Sequence, residues 1–289
     1  MVTIARQIVT LSKPRIVVLL VFTGVCGAYA VAGGAVSAAA LIAVIVAGSL
    51  SAAGANAINQ GLDADIDAIM TRTRQRPVPA QQLRPSLAVA TGVAFVIAAV
   101  ALMGALTNAI AALLMLAAAA VYVFVYTILL KRRSWNNIVI GGAAGAFPPL
   151  IGATAVTGSI DAMGLYMFAF VFFWTPPHFW TLSILLRDDY AAASVPMLAA
   201  VTSQRETAMQ IALYVVLLLV MAWLPVVSGF GGVGFGVVAT LMSIEWLRRS
   251  KPLFGETTRK QTLSAYKFSL LYLAIVFLVL AVEPALPWA

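Results

Sequence analysis

Long apolar runs alternate with polar breaks along the whole chain, and the run lengths are those of bilayer crossings. Nine such runs lie at 16–33, 38–58, 86–106, 109–130, 136–156, 163–186, 208–228, 231–247 and 266–283. They are unbroken and rich in Ala, Leu and Val, which predicts transmembrane helices rather than strands of a barrel. The breaks after runs 1, 3, 5 and 7 are short and built from Gly, Ser, Thr and Asn. Those after runs 2, 4, 6 and 8 are longer and charged. The first 14 residues place Ile4, Ile8 and Leu11 at helical spacing with Arg6 and Lys13 beside them. That stretch is too short and too weakly apolar for a signal peptide, and reads as an interfacial helix.

Composition agrees with this pattern. Of the 289 residues, 62% are hydrophobic and 10% charged, against roughly 25% charged in a soluble domain. The expected architecture is all-α: one polytopic membrane domain over 1–289, with 1–14 as its interfacial N-terminal segment. Cys26 is the only cysteine, which excludes an intrachain disulfide and a cysteine-built metal site.

Charge adds an orientation. All 18 Lys and Arg residues fall on one side of the nine-run topology, and the short opposite loops carry none. The positive-inside rule then puts the N-terminus and the charged loops in the cytoplasm and the C-terminus outside. Eight of the ten acids lie on that same side, with Asp161 and Glu283 opposite. The expected chemistry therefore faces the cytoplasm; the expected location is the inner membrane of a bacterial cell.

Three of the acids sit in one short run, residues 56–67, Asn-Ala-Ile-Asn-Gln-Gly-Leu-Asp-Ala-Asp-Ile-Asp. On a helix Asn59, Asp63 and Asp67 stack at i, i+4, i+8, while Asp65 lies about 200° around from Asp63. Three oxygen-bearing side chains on one stripe suit a hard cation such as Mg²⁺, its shell completed by substrate phosphate. A calcium loop starting at Asp63 is excluded, because its sixth position is Ala68 and its twelfth Arg74. Arg72, Arg74 and Arg76 follow, and guanidiniums fork onto phosphate oxygens. Read without chemistry, the same run is a solvated loop of mixed charge.

Other stretches carry weaker signals. Tyr126 to Arg133 ends a run with Lys131, Arg132 and Arg133, an ordinary cytoplasmic anchor that could also add charge near the aspartates. Trp174-Thr-Pro-Pro-His-Phe-Trp180 puts two prolines and the only histidine, His178, inside run 6. Prolines there predict a kink, and Phe170, Phe172, Phe173, Trp174, Phe179 and Trp180 offer aromatic faces to a cation. Arg187-Asp188-Asp189-Tyr190 closes run 6 with adjacent acids, which cannot share one helical face. Gly141-Gly142-Ala-Ala-Gly145-Ala-Phe147-Pro148-Pro149 is explained by close helix packing, or leaves room for a flat substrate.

The sequence resembles the UbiA superfamily of intramembrane prenyltransferases, and within it the protohaem IX farnesyltransferase (haem O synthase) family. The superfamily pattern is matched at Asn59, Asp63 and Asp67. The narrower pattern is matched at Met70-x-Arg72-Thr73-x-x-Arg76-Pro77, Tyr126-x-x-x-x-Lys131-Arg132, Asn137 through Gly152, Trp174 through Trp180, and Asp189-Tyr190 through Pro196-Met197. The similarity runs from about Lys13 onward. Many superfamily members carry a second spaced aspartate motif after span 6; here Leu185 stands four residues before Asp189.

The resemblance implies transfer of farnesyl from farnesyl diphosphate to a vinyl group of haem B, with hydration. It implies Mg²⁺ as cofactor at Asn59, Asp63 and Asp67, and Asp63, Asp67, Lys131 and His178 as catalytic residues. Substrate contacts are expected from Arg72, Arg76, Tyr126, Arg132, Asp189 and Trp174. His178 would position haem or the water, by ligating iron or accepting a proton. The implied partners are membrane lipid, haem B, farnesyl diphosphate and a downstream haem-modifying enzyme or terminal oxidase assembly, with no nucleic acid. Competing readings are a UbiA-type enzyme with another aromatic acceptor, a secondary transporter, and a haem-binding assembly protein. Acids clustered at cytoplasmic helix ends rather than inside the spans argue against the transporter.

Overall fold

The structure is a computed structural model that describes residues 4–285; Met1–Thr3, the start of the expected interfacial segment, lie outside the described residues. A short helix, Ile4–Ser12, is followed by long helices α1 (Pro14–Ala32), α2 (Ala38–Leu62), α3 (Pro85–Leu106), α4 (Ala109–Leu130) and α5 (Asn137–Thr157). Then come α6 (Ala162–Leu185), α7 (Gln204–Val227), α8 (Val233–Ser250) and α9 (Arg259–Val282). No strand occurs among the described residues.

The ends follow local chemistry. Pro14 and Pro85 open α1 and α3, where a missing N–H costs nothing. Asn108 and Asp161 cap α4 and α6 by accepting from Ala111 N (2.9 Å) and Gly164 N (2.6 Å). Ser203 with Glu206, and Thr258 with Gln261, form capping boxes on α7 and α9. Gly33 and Gly158 end α1 and α5 at φ 58° and 73°, the left-handed region glycine tolerates.

Among the described residues eight helices are long and apolar enough to cross a membrane. Outward-facing Val18, Ile97, Leu113, Phe124 and Leu241 are 60–68% exposed, as suits side chains solvated by lipid. The molecule is a multi-pass membrane protein. The ninth expected crossing, 231–247, is the 18-residue helix α8, which is not among those eight because its end carries Glu245, Arg248 and Arg249.

Small residues set the packing. α1 crosses α5 so closely that a Cβ on Gly152 would fall 1.9 Å from the Gly24 carbonyl oxygen, and one on Gly27 2.2 Å from that of Pro149. α2 and α3 meet the same way at Gly54 and Gly92. α9 packs on α1, α6 and α8, closing the helices into a bundle. The largest core cluster lies at α6, α8 and α9, where Phe170 stacks on Tyr272 at 6.2 Å and Phe235 and Phe277 pack edge-on against it.

Both acids placed opposite the charged loops have structural work. Asp161 caps α6. Glu283 is buried and accepts from Gly232 N (3.2 Å) and Phe235 N (3.1 Å), so α9 caps the start of α8. α6 runs through Pro176 and Pro177 without a break, so the expected kink does not interrupt the helix.

Candidate active site

The aspartate run does not form one continuous helix. α2 ends at Leu62, Asp63 sits at a joint (φ −96°, ψ 11°), and a six-residue helix, Ala64–Ile69, follows. The stripe survives because Asp63 N still bonds Asn59 O (2.9 Å) and Asp67 N bonds Asp63 O (2.8 Å). Asn59, Asp63 and Asp67 are 3%, 1% and 2% exposed. Buried carboxylates require partners, and each has one. Asn59 Nδ2 donates to Asp63 Oδ2 (2.7 Å), and Lys131 pairs with the same oxygen. Arg76 Nη1 lies 2.6 Å from Asp67 Oδ2. Asp65 faces solvent as expected, and its carboxylate takes both arms of Arg132 at 2.6 and 2.7 Å. That hydrogen bond, ahead of the charge attraction, holds the Asp65 carboxyl below its ordinary pKa.

Lys131 reaches Asp63 because the last ten residues of α4, Val121–Leu130, are π-helical. The wider turn makes Lys131 N bond Tyr126 O (2.8 Å) and brings Tyr126, Thr127 and Lys131 inward together. Thr127 Oγ then accepts from Asn59 Nδ2 (3.1 Å). A side chain on Gly141 would strike the Tyr126 ring at 2.5 Å, so part of the glycine-rich stretch exists to seat that tyrosine.

Sequence reasoning missed Lys13. Its Nζ donates to Asn59 Oδ1 at 3.2 Å, from a backbone at φ 51° that a non-glycine residue adopts only under constraint. The constraint comes from the aspartate run itself. Asn56 Nδ2 donates to Ser12 O (3.1 Å) and Gln60 Nε2 to Leu11 O (2.7 Å), pinning the chain just before Lys13. Burial, with repulsion from Arg76 and Lys131 added, pulls the Lys13 ammonium down to about 7. The usable signal was the i, i+4 spacing of Asn56 and Gln60 on the face carrying Asn59.

The arginine loop after the aspartates is held from α6's far end. Asp189 Oδ1 and Oδ2 accept from the N–H groups of Thr71 (3.0 Å) and Arg72 (3.2 Å). Asp189 thus shapes the loop through its backbone. The charge of Arg72 reaches the Tyr190 and Tyr266 rings.

Tyr266 belongs to a second group. His178 is stacked between Trp174 (4.3 Å) and Tyr266 (5.1 Å). Its Nδ1 lies 2.6 Å from Ser269 Oγ. Ser269 Oγ donates its one proton to Tyr266 O at 2.6 Å, so toward His178 it offers a lone pair. This accounting assigns the proton to Nδ1 and leaves Nε2 with a free lone pair. Trp174 is fixed in turn by its Nε1 donating to Ser269 O (3.0 Å). Of the aromatic residues expected around His178, Phe170 and Trp180 lie elsewhere. Phe170 is in the α6–α9 core, and Trp180 packs edge-on against Tyr214 at 5.3 Å.

The donor set of the first group fits Mg²⁺ as a partial shell. Among the described residues no three His, Cys, Asp or Glu side chains could hold a metal alone. Two carboxylates and an amide oxygen are nonetheless hard donors, and Mg²⁺ is commonly held by one or two carboxylates plus substrate phosphate. Asp67 Oδ1 accepts no hydrogen bond among the described residues, so one carboxylate oxygen is open.

Comparison with known proteins agrees with this fold. The model of the UbiA prenyltransferase family matches residues 20–276, and the chain belongs to that family. It is 44% identical over 97% of its length to protoheme IX farnesyltransferase of Thermus thermophilus, of which it spans 46%, about half. It is 44% identical over 96% of its length to the protein of that name from Granulibacter bethesdensis, covering 90% of that chain. Among solved structures, a UbiA homologue from Archaeoglobus fulgidus bound to DMAPP and Mg²⁺ superposes with a TM-score of 0.73. The match covers 96% of this chain and 99% of that one, at 15% identity. Such a likeness carries the fold alone.

Proposed function

We infer that the protein transfers a farnesyl group from farnesyl diphosphate to a vinyl group of haem B, adding water to give haem O and releasing diphosphate. The observation that carries this reading is a buried Asn59, Asp63 and Asp67 set, each bonded to a cation, with a histidine stacked between two aromatic rings in the same bundle. Haem as the acceptor is supported by the similarity to proteins named protoheme IX farnesyltransferase.

Asn59, Asp63 and Asp67 would hold Mg²⁺, which when bound neutralises the diphosphate leaving group. Lys13, Arg72, Arg76, Lys131 and Arg132 share the charge that grows on that group as the carbon–oxygen bond breaks. With the carboxylates holding Mg²⁺, Lys131 and Arg76 would be free to turn from the acids toward phosphate. Tyr126 and Trp174 line the path of the allylic cation and keep water from it. The vinyl carbon attacks the farnesyl carbon, water captures the new cation beside the porphyrin, and its proton leaves. The free Nε2 lone pair of His178 serves this last part, on the water's proton or on the haem iron. Asp189 acts on substrate through Arg72.

All nine long helices cross the bilayer in this reading. α8 is included because its first turn is capped by Glu283 at the far end of α9, while its last turn carries Arg248 and Arg249 at the charged side. The N-terminus and the site face the cytoplasm, the C-terminus lies outside, and the chain is one domain in the inner membrane. Product passes to a downstream haem-modifying enzyme or terminal oxidase assembly. The test is acceptor choice. Protein given farnesyl diphosphate, Mg²⁺ and equal amounts of haem B and a quinone-ring precursor should prenylate haem alone. Prenylation of the aromatic acid instead would replace this reading with the other UbiA-type one.

A further inference from the structure

A third of the chain's 18 Lys and Arg residues lie together, outside the proposed site. Arg248, Arg249, Lys251, Arg259, Lys260 and Lys267 flank the α8–α9 connection. Arg249, Lys260 and Lys267 line a cavity of about 410 Å³ there, walled on its apolar side by Leu263, Phe268 and Leu271. Arg249 is built into the wall. Its Nε bonds Glu245 Oε1 (2.6 Å), its Nη1 donates to Ser264 Oγ (2.9 Å), and its guanidinium lies 4.7 Å over the Phe268 ring. Glu245 is the only acid joined to this group, and both its oxygens are already shared by Arg248 and Arg249. Lys260 and Lys267 are exposed and form no ion pair among the described residues. The cavity therefore carries uncompensated positive charge.

Its polarity is also graded along one line. Lys260, Ser264, Lys267, Leu271, Leu278 and Val282 follow each other at i, i+4, i+7, i+11, i+18 and i+22, a single stripe of α9. The stripe is cationic at the charged-loop end. Beyond Lys267 it continues as Leu271, Leu278 and Val282, 46–52% exposed. A soluble anion would use the cations and leave the apolar half idle. An amphiphile with an anionic head matches both halves.

We propose that this cavity binds the phosphate headgroup of an anionic phospholipid, with an acyl chain lying along Leu271, Leu278 and Val282. Lys260 and Lys267 hold the phosphate, and Arg249, fixed over Phe268, forms the floor. The site lies on a different stripe of α9 from Tyr266 and Ser269, and it does not depend on the transferase reading.

Native mass spectrometry of the full chain, titrated with phosphatidylglycerol and phosphatidylcholine of identical acyl chains, tests it. Phosphatidylglycerol adducts should form at lower lipid concentration. In Lys260→Gln/Lys267→Gln that preference should fall by about thirtyfold, taking the usual contribution of two basic residues at a lipid surface. Arg205→Gln, an exposed cation elsewhere, should leave it unchanged, and both variants should keep the parent's melting temperature because these side chains are solvent-facing. Equal retention of the two lipids overturns the proposal, as does a preference that survives the double substitution or falls equally with Arg205→Gln. Displacement by millimolar inorganic phosphate would make it a free-phosphate site and equally overturn the lipid assignment.

Discussion

The two halves of the proposed site are built on opposite principles. Around Asp63 and Asp67 each buried carboxylate meets a cation, from the end of α4 or from the loop after Ala64–Ile69, while Lys13 at the α1 start bonds the Asn59 amide oxygen. Around His178 no ion pair is formed among the described residues; two aromatic faces and one serine hold the ring. A leaving diphosphate needs charge and a metal, whereas an allylic cation and a flat macrocycle need apolar walls and few competing nucleophiles. Under the proposed function, separating them would let one enzyme ionise a substrate at one end and keep the resulting cation dry at the other.

The largest expected effect lies in the charged half. Asp63→Ala or Asp67→Ala should lower kcat/KM on the order of 10³-fold, measured by diphosphate release, while haem binding followed by absorbance stays unchanged. Loss of haem binding in these variants would mean the two halves are not separable.

Lys131→Met comes next and acts on stability as well as rate. It strands Asp63 in a buried position, so folding should lose about 3–5 kcal/mol, read as a fall in detergent-solubilised melting temperature. Adding Asp63→Asn should restore most of that stability and none of the activity. Recovery of both would show the pair to be structural only.

In the aromatic half, Ser269→Ala should cut turnover about tenfold through loss of one oriented hydrogen bond, with KM for farnesyl diphosphate unchanged. Nitrogen NMR of His178 should show the Nδ1–H form giving way to a mixture. An unchanged tautomer would remove the role given to Ser269.

Lys13 couples the charged half to pH. With a pKa of about 7 in the substrate-free protein, it is charged below that value and neutral above it. Binding diphosphate above pH 7 must then take up a proton. KM should rise with pH by up to about tenfold per unit, and Lys13→Arg should flatten the profile. A pH-independent KM in the parent chain would contradict this.

Smallest is Asp189→Ala, which frees the amides of Thr71 and Arg72. A few-fold rise in KM, about 1 kcal/mol, is expected without change in kcat.

The charged half was largely legible in the sequence because its signals are one-dimensional. Asn59, Asp63 and Asp67 keep helical spacing, and Arg76 and Lys131 belong to runs that stand out in an apolar chain. Lys13 was not legible, since its reach to Asn59 depends on a left-handed residue and on Asn56 and Gln60 holding a segment 44 to 49 positions away in sequence. The pairing of Arg132 with Asp65 was hidden for the same reason. In the aromatic half the sequence marked His178 and Trp174 but could not separate them from Phe170 and Trp180, because one helix presents aromatics to every neighbour. Ser269 and Tyr266 come from α9, and only packing brings them to α6. The helices themselves were legible from apolar run length, while α8, whose end is charged, fell at the margin of that criterion.

Mass spectrometry of the haem recovered after incubation with farnesyl diphosphate and Mg²⁺, for the parent chain and Asp67→Ala side by side, tests the central claim most directly. The account expects a farnesylhydroxyethyl adduct from the parent and unmodified haem B from the variant. Unmodified haem from folded parent protein, or the same adduct at the same rate from Asp67→Ala, would contradict it.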